Sequence, residues 1–336
     1  MWPSNLGYWA ILFGTTMKVL FTADIHIKLG QKNVPQDWAR NRYNLLWQQL
    51  AEQQTKADLF VIGGDVFDKL PSMEELEIYF DLIGQCNVNT IIYSGNHEAV
   101  KKSTTFMTNL AKATNRMNRK VIVVDEFYSD YGIEFVPYNK LKEFEQSNPW
   151  PEGGQVLCTH VRGAIPPHVT PEVDLNIFSG WDVVLAGDLH SYENCQLNIL
   201  YPGSPVTTSF HRQPVDTGVI LIDTETLTHS WLKLEVPQLI RLTVGVSDPK
   251  PPTPYHHTIY QVEGDMQELG ELEDNELIDR KVIKRSTDVQ LMLDAEMTLV
   301  EEVREYLTYV LQLGSETVEQ TVLELQAHLA KIENDE

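Results

Sequence analysis

The alternation of strand-like and helical segments is the feature that most limits what the first half of this chain can fold into. Short apolar runs indicate strands at residues 18–23, 58–63 and 89–94. Between them, stretches with apolar residues three and four positions apart indicate helices at 38–54 and 73–85. Strands that are joined through helices usually lie parallel in one sheet, so we expect a β-α-β opening.

Further strands follow with fewer helices between them. Candidate strands lie at 120–124, 133–138, 155–161, 182–187, 197–201, 218–223 and 230–236. The last three lack long intervening helices, which favours partly antiparallel structure. The predicted fold class is therefore a mixed, layered α/β domain.

Charge and cysteine content limit the environment and the ligands of the chain. The 336 residues include 26 basic and 48 acidic side chains, which gives a formal net charge of -22. Such a surface on average repels a polyanion, so DNA binding requires a local basic patch or bound cations. Cys86, Cys158 and Cys195 have no paired spacing, and we interpret them as buried thiols in a reducing compartment.

Three segments mark the organisation around this domain. Residues 1–16 are apolar, but they lack the basic start of a signal peptide and are too short to span a bilayer. We interpret them as an extension or a start codon placed too early, with a membrane anchor as the alternative.

Residues 247–255 contain four prolines and favour neither helix nor central strand. Residues 295–332 have helical periodicity with a break at Gly314 and Ser315, which predicts a helical hairpin.

Side chains of the kind that bind metals follow five of the predicted strands where each strand ends. They are Asp24, His26, Asp65, Asn96, His160, Asp188 and His190. Because the carboxyl ends of strands form the ligand crevice of an open α/β sheet, we expect these side chains to converge. Carboxylates, imidazoles and an amide oxygen together suit manganese, iron or zinc, and one carboxylate can bridge two ions. The pattern predicts a dinuclear centre that acts on phosphoryl groups.

Each of these signals has a simpler interpretation when it is taken alone. One Asp-x-His is a weak metal motif, and a Gly-Asp after a strand is often only a helix cap. His160 on an apolar strand could be a core histidine with a satisfied hydrogen bond. The order and placement of five such elements, each at the end of a predicted strand, favour the metal centre.

The ordered motifs DIH, GD, GNHE, H and a final Gly-x-x-His resemble the calcineurin-like metallophosphoesterase superfamily over residues 17–234. The resemblance implies a layered αββα sandwich. It also implies one ion held by Asp24, His26, Asp65 and His190, with Asp65 as the bridge. The second ion would be held by Asp65, Asn96, His160 and Asp188. His97 matches the general acid that protonates the leaving oxygen, and Asp68 matches the carboxylate that orients it.

Asp188 departs from the family pattern, which usually has histidine at this position. An aspartate ligand adds negative charge and a harder oxygen donor. We therefore expect two divalent ions, with manganese first and magnesium, iron or zinc as alternatives, and a preference for manganese or magnesium over zinc.

Residues that flank the motifs limit the class of phosphoester that we expect as the substrate. Protein phosphatases of the superfamily carry Asp-Arg-Gly after the second motif, whereas Asp68 is followed by Lys69 and Leu70. The segments GGDVFDKLPS at 63–72 and YPGSPVTTSF at 201–210 resemble the SbcD nuclease family of bacteria and phages. This resemblance implies an exonuclease or endonuclease that acts on DNA ends in recombination or break repair.

The same resemblance implies the remaining organisation. Residues 17–236 would form the catalytic domain, 237–292 a small α+β capping domain, and 293–336 the C-terminal helices that bind an SbcC-like coiled-coil ATPase. A homodimer through helices at 76–85 or 104–113, no membrane association, and a location in the cytoplasm, or the host cytoplasm for a phage protein, are also implied. For the hairpin, an intramolecular helix pair explains the periodicity equally well. Two other functions remain open: a phosphomonoesterase or cyclic phosphodiesterase for small substrates, favoured by the acidic charge, and a non-catalytic DNA-end-binding subunit, favoured by Asp188.

Overall fold

The computed structural model describes residues 17–101, 104–283, 297–311 and 313–335. The extension expected over residues 1–16 lies outside the described residues, as does the first part of the C-terminal segment expected from residue 293. The chain divides into two compact units. The first comprises the described residues of Met1–Thr243, Pro249–Gln261 and Asn275–Asp279. The second comprises those of Val244–Asp248, Val262–Asp274 and Arg280–Glu336.

The strands and helices follow the predicted alternation. In chain order they are β1 (Lys18–Thr22), α1 (Gln36–Gln54), β2 (Leu59–Gly63), α2 (Met73–Gly84), β3 (Asn89–Tyr93), β4 (Ala99–Lys101), β5 (Thr104–Thr105), α3 (Met107–Met117), β6 (Val121–Val124), β7 (Tyr128–Asp130), β8 (Ile133–Val136), α4 (Leu141–Gln146), β9 (Gly154–His160), β10 (Trp181–Gly187), β11 (Ile199–Leu200), β12 (Thr217–Asp223), β13 (His229–Leu234), β14 (Leu239–Gly245), β15 (His257–Gly264), α5 (Met266–Glu271), β16 (Ile278–Ile283), α6 (Leu299–Glu305) and α7 (Ser315–Asp335). Every strand expected up to residue 236 is present, close to its predicted ends.

The first sheet contains six strands in the order β13-β12-β1-β2-β3-β6. Strands β1, β2, β3 and β6 are parallel, and their register pairs Thr22 with Ile62 and Gly63 with Tyr93. Strand β12 runs antiparallel to β1, and β13 antiparallel to β12. The carboxyl ends of β1, β2 and β3 therefore meet at one edge, which places the residues that follow them side by side.

The second sheet contains five strands in the order β11-β10-β9-β8-β7. Strands β8 to β11 are parallel and β7 is antiparallel to β8. The pairing of Gly187 with His160 brings the carboxyl ends of β10 and β9 together. His160 also bonds to the carbonyl oxygen of Gly63 at the end of β2, so the two sheets meet at this edge.

The period-2 alternation of buried residues explains why the two sheets stack. On β1, Val19 and Phe21 pack between the sheets against residues such as Phe135 and Cys158. The neighbouring Leu20 packs on the opposite face among side chains of α1 and α2. On the outer face of the second sheet, Leu157 packs with residues of α4, including Phe144. Helices thus cover both outer faces, and the expected αββα layering is confirmed.

The chain beyond β13 contains less regular structure. Strands β14, β15 and β16 form a three-stranded sheet in that order. The proline-rich segment 247–255 contains neither helix nor strand, as predicted. No helix among the described residues is long and apolar enough to cross a membrane.

The C-terminal helices of the second unit pack on each other. Helix α6 begins with a capping box between Thr298 and Glu301, and α7 begins at Ser315, where the break was predicted. Leu307, between the two helices, is buried with Val318 and Val322 of α7. Arg304 and Glu319 add an ion pair at 3.1 Å. Other apolar side chains of the segment are exposed, namely Leu299, Tyr306, Leu311 and Leu323. The two helices therefore pack on each other through one apolar stripe, while these other apolar side chains remain exposed.

Candidate metal centre

Backbone strain is concentrated where the candidate ligands lie. Asp24, His26, Asp65 and Asp188 have φ angles of 57°, 48°, 49° and 104°. Side chains other than glycine rarely adopt this left-handed region, and such conformations persist only where the surrounding structure holds them. Four of the eight described non-glycine residues with positive φ are thus candidate ligands. Strain at these positions is typical of a functional site.

Short loops after β1, β2 and β3 hold these residues against one another. The backbone N–H groups of Asp24 and His26 donate to the carbonyl oxygens of Gly64 and Asp65, at 3.1 and 2.9 Å. A Cβ atom at Gly95 would overlap the backbone nitrogen and carboxylate of Asp65. Only glycine therefore lets the loop that carries Asn96 approach this closely.

The first group of candidate ligands contains Asp24, His26 and His190, whose ligand atoms lie within 4.8 Å of one another. The Nε2 atoms of His26 and His190 are 3.1 Å apart, and His26 Nε2 is 3.6 Å from Asp65 Oδ2. Two donors that each bind an ion at about 2.1 Å are expected about 3 to 3.5 Å apart. The spacing fits donors that share one ion.

The second group contains Asp24, Asp65 and His160, also within 4.8 Å. His160 Nε2 lies 2.9 Å from Asn96 Oδ1 and 3.5 Å from Asp65 Oδ2. Asp65 Oδ2 is therefore near histidines of both groups, which is the position that a bridging carboxylate requires.

The donor chemistry fits divalent cations. Asp24 and Asp65 are buried carboxylates close together, and buried like charges repel unless a cation offsets them. As placed, Asn96 Oδ1 faces only acceptors, and turning the amide over would instead direct its N–H groups at Asp65 and His160. An amide oxygen that points at a carboxylate and an imidazole nitrogen is favourable when all three bind one ion.

Hydrogen bonds orient the imidazoles so that Nε2 faces the centre. His160 Nδ1 is 2.9 Å from the carbonyl oxygen of Gly63, and His190 Nδ1 is 3.2 Å from Thr208 Oγ1. Partners of this kind fix the ring and its tautomer in metal sites. His26 differs, because its buried Nδ1 has no hydrogen bond and lies 3.9 Å from Asp68 Oδ1.

Burial and neighbouring charges shift the ionisation of the centre. Burial lowers the pKa of His26 to about 3 and also lowers the pKa of His190, so both imidazoles are neutral near pH 7. Burial would raise the pKa of Asp65, but His160 and the neighbouring histidines lower it well below its usual range. Burial raises the pKa of Asp24. Burial would lower the pKa of His160, but the Asp65 carboxylate raises it well above its usual range, so His160 must lose a proton before it binds an ion, whereas His26 and His190 need not.

His97 lies beside these groups at the surface of the centre. Its ring packs edge-on against His26, with 4.6 Å between centroids, and its Nε2 is 3.9 Å from Asp65 Oδ2. Its Nδ1 is 2.6 Å from the backbone carbonyl oxygen of Asp68. The sequence led us to expect the Asp68 carboxylate in this role. That carboxylate instead pairs with Lys28 at 2.9 Å, because the turn after β2 directs the Asp68 carbonyl, and not its side chain, towards His97.

Asp188 is placed differently from the other expected ligands. Its backbone N–H donates to both carboxylate oxygens of Asp24, at 3.0 and 3.1 Å. Its own carboxylate accepts from Arg162, with Nε to Oδ2 at 3.1 Å and the terminal nitrogen to Oδ1 at 3.2 Å. Among the described residues, it belongs to none of the groups of aspartate and histidine that could hold an ion.

Two residues that the sequence analysis did not single out support the centre. The buried Glu98 carboxylate accepts from the backbone N–H groups of Asp65, Phe67 and Gly95, at 3.0, 2.9 and 2.8 Å. Ser204 Oγ donates to the carbonyl oxygen of Asp24 at 2.7 Å. Burial and the nearby Asp65 raise the pKa of Glu98 to about 7. Both residues lie in segments already noted, GNHE and YPGSP, where an acidic or hydroxyl side chain beside the motif was the available signal.

The layered fold, the loops at one sheet edge and the aspartate, asparagine and histidine groups together define a phosphoesterase scaffold. Residues 17–192 match the calcineurin-like phosphoesterase family, and the chain belongs to that family. Members of the family use divalent metals.

Similar proteins include one phage relative. The chain is 38% identical over 297 residues to the probable exonuclease subunit 1 of Escherichia phage T5, covering 85% of this chain and 89% of the relative. Two solved structures share 13% identity with this chain and cover 65% of it. One is described as a novel archaeal phosphodiesterase, with a TM-score of 0.36 and 100% of its own length covered. The other is a protein of Thermus thermophilus, with a TM-score of 0.40 and 99% covered.

Proposed function

We propose that this protein is the nuclease subunit of a metal-dependent DNA exonuclease or endonuclease that hydrolyses phosphodiester bonds with two metal ions. The observation that carries the proposal is the position of Asp65, whose Oδ2 lies 3.6 Å from His26 Nε2 and 3.5 Å from His160 Nε2, with His97 beside it. The name of the phage relative, an exonuclease subunit, favours DNA as the substrate.

In this proposal, Asp24, His26, Asp65 and His190 hold the first ion, while Asp65, Asn96 and His160 hold the second. When bound, such ions polarise the phosphoryl group and activate water near neutral pH. The neutral imidazoles of His26 and His190 can bind without first losing a proton. Manganese is the preferred ion, because the second set contains two oxygen donors and one nitrogen. Magnesium, iron and zinc are alternatives.

His97 is the proposed general acid. Its Nδ1 is held by the Asp68 carbonyl oxygen, which leaves Nε2 directed towards the centre. From this position the ring can donate a proton to the oxygen that leaves the phosphorus atom. The side chain is 37% exposed, so a substrate can reach it.

A partner subunit is the second part of the proposal. The relative is named as a subunit, and the exposed apolar residues of the C-terminal helices offer a surface for an SbcC-like coiled-coil ATPase. A homodimer, action at DNA ends in recombination or repair, and a location in the host cytoplasm also belong to this proposal. The overall charge of -22 implies that bound cations and local basic side chains bring DNA to the site.

A small-substrate phosphodiesterase is the second candidate, favoured by the same acidic charge. We would incubate the protein and manganese with end-labelled duplex DNA, single-stranded DNA or a nitrophenyl phosphodiester. The variants are His97→Ala and Asp65→Ala, with the exposed His168→Ala and Asp81→Ala as matched controls. The nuclease proposal is supported if the wild type and the two controls shorten the DNA and His97→Ala and Asp65→Ala do not. Turnover of the small ester without DNA cleavage excludes it, and DNA binding without any turnover favours the non-catalytic subunit.

A further inference from the structure

The ion pair between Arg162 and Asp188 lies at the edge of the candidate centre. Arg162 follows β9 two residues after His160, and Asp188 follows β10 two residues before His190. The guanidinium bonds both carboxylate oxygens, at 3.1 and 3.2 Å. The Asp188 side chain is 7% exposed and that of Arg162 is 45% exposed. The pair therefore has a buried acidic end and an accessible basic end.

The geometry of Asp188 favours arginine over a metal ion as its partner. Two parallel N–H···O bonds are a specific and strong arrangement between arginine and carboxylate. The backbone N–H of Asp188 is fixed by Asp24, so the position of its Cα does not depend on what its side chain binds. The other aspartates expected as ligands, Asp24 and Asp65, fall within the ion-binding groups, whereas Asp188 does not.

Arg162 is well placed to meet a phosphate. Guanidinium carries five N–H donors, and the bonds to Asp188 use two of them. Glu172 Oε1 accepts from the Arg162 backbone N–H at 3.4 Å. An arginine guanidinium does not lose its proton in proteins, so this positive charge is permanent. Arg162 follows His160 by two residues at the end of β9, and its partner Asp188 bonds Asp24 through its backbone N–H. Arg162 is thus beside the His160 end of the centre.

We propose that Asp188 is the anchor of Arg162 and not a ligand of the second ion, and that Arg162 binds a non-bridging oxygen of the substrate phosphate. Where the family usually has a histidine that binds the ion, this chain then has an aspartate that holds the Arg162 guanidinium beside the substrate phosphate. The phosphate role rests on the function proposed above. The assignment of the Asp188 carboxylate does not.

Calorimetric titration of the metal-stripped protein with manganese tests the anchor role. Asp188→Ala leaves the affinity of the weaker manganese site within about threefold of wild type, because no donor is lost. A true ligand would cost about tenfold or more. Asp188→Asn is the matched control, since it keeps the size and one oxygen but removes the charge that holds Arg162. Loss of one manganese ion, or a tenfold weaker site, in Asp188→Ala overturns the anchor role.

Steady-state kinetics with the nitrophenyl phosphodiester tests the phosphate role. Arg162→Ala raises KM about tenfold, the expected effect of losing one hydrogen bond to a charged group. Arg162→Lys keeps the charge and recovers part of that loss. Asp188→Ala raises KM by a similar factor, and the double variant is no worse than Arg162→Ala, because both changes remove one contact. An unchanged KM in Arg162→Ala, or fully additive effects, overturns the phosphate role.

DNA binding separates this proposal from the proposed function. In the His97→Ala background, anisotropy of a short fluorescein-labelled duplex with manganese gives the salt dependence of affinity. Arg162→Ala lowers the slope against log salt by about one, as expected for one phosphate contact. If wild type neither binds nor cuts DNA, the nuclease proposal fails, while the calorimetry and the small-ester KM still decide the roles of Asp188 and Arg162.

Discussion

His97 is oriented by a backbone group: its Nδ1 lies 2.6 Å from the carbonyl oxygen of Asp68. Every residue type supplies such a carbonyl, so the identity of residue 68 matters less than the shape of the turn that presents it. The Asp68 carboxylate, paired with Lys28, is a separate feature.

We therefore expect His97→Ala to reduce kcat on DNA by about a hundredfold or more, the usual contribution of a general acid. The same variant should lose much less on a nitrophenyl diester, because nitrophenolate leaves without needing a proton. Asp68→Ala should lose less than about tenfold on DNA, since the carbonyl remains. Equal losses on both substrates in His97→Ala would show that the residue positions the substrate and does not donate the proton.

Glu98 should stabilise the protein even when metal is absent. Its carboxylate accepts three buried backbone N–H groups from the loops after β2 and β3. Glu98→Gln replaces one acceptor oxygen with a donor that faces an N–H group. We expect the free energy of unfolding of the metal-free protein in urea to fall by about 2–3 kcal/mol. The exposed Glu52→Gln on α1 is the control and should change it by less than about 0.5 kcal/mol.

Thr208 should tune metal affinity without contacting the ion. Its hydroxyl is 3.2 Å from His190 Nδ1 and limits rotation of the ring. Thr208→Val keeps the shape of the side chain but removes the hydroxyl, so we expect manganese to bind about tenfold more weakly in calorimetry. Thr208→Ser keeps the hydroxyl and should bind as wild type does. Identical titrations for the valine and serine variants would contradict the role.

Metal replacement should distinguish the oxygen-rich centre from a zinc site. After removal of metal with a chelator, manganese should restore more activity than zinc, because Asp65 and Asn96 contribute hard oxygen donors to the second position. The measurement is kcat at saturating metal for each ion. Equal recovery with zinc would show that the preference is wrong.

The buried thiols should resist modification in the native protein. Burial raises the pKa of Cys86 to about 12 and raises the pKa of Cys158 well above its usual range. The pKa of Cys86 is higher in the folded state than in the unfolded state. Its ionisation therefore leaves the free energy of unfolding unchanged below about pH 9 and lowers it as the pH rises towards 12. At about pH 8, below the ordinary thiol pKa, we expect a thiol reagent to modify the half-buried Cys195 first. Cys86 or Cys158 reacting as fast as Cys195 would contradict this order.

Local sequence determined much of the fold and the placement of the candidate ligands. The strands could be predicted because successive side chains of a strand pack on opposite faces of the sheet. On β1, Val19 and Phe21 pack on one face and Leu20 on the other. Since parallel strands end at a common edge, the residues that follow β1, β2 and β3 had to lie near one another, and so did those that follow β9 and β10. Asp24, His26 and Asp65 could therefore be placed together from the strand pattern, whereas the stacking of the second sheet on the first brought His160 to them.

Tertiary structure alone decided the interactions between residues far apart in the chain. Arg162 meets Asp188 because β9 and β10 are adjacent, and Glu98 reaches Asp65 because the loops after β2 and β3 fold onto each other. The direction of a turn likewise chose the carbonyl of Asp68 over its carboxylate. A motif specifies which residue types are present. Whether an aspartate binds an ion or an arginine depends on which strand lies beside it. The residues next to Asp188 in the sequence do not specify that its neighbour is Arg162, because the two are brought together only by the pairing of β9 with β10.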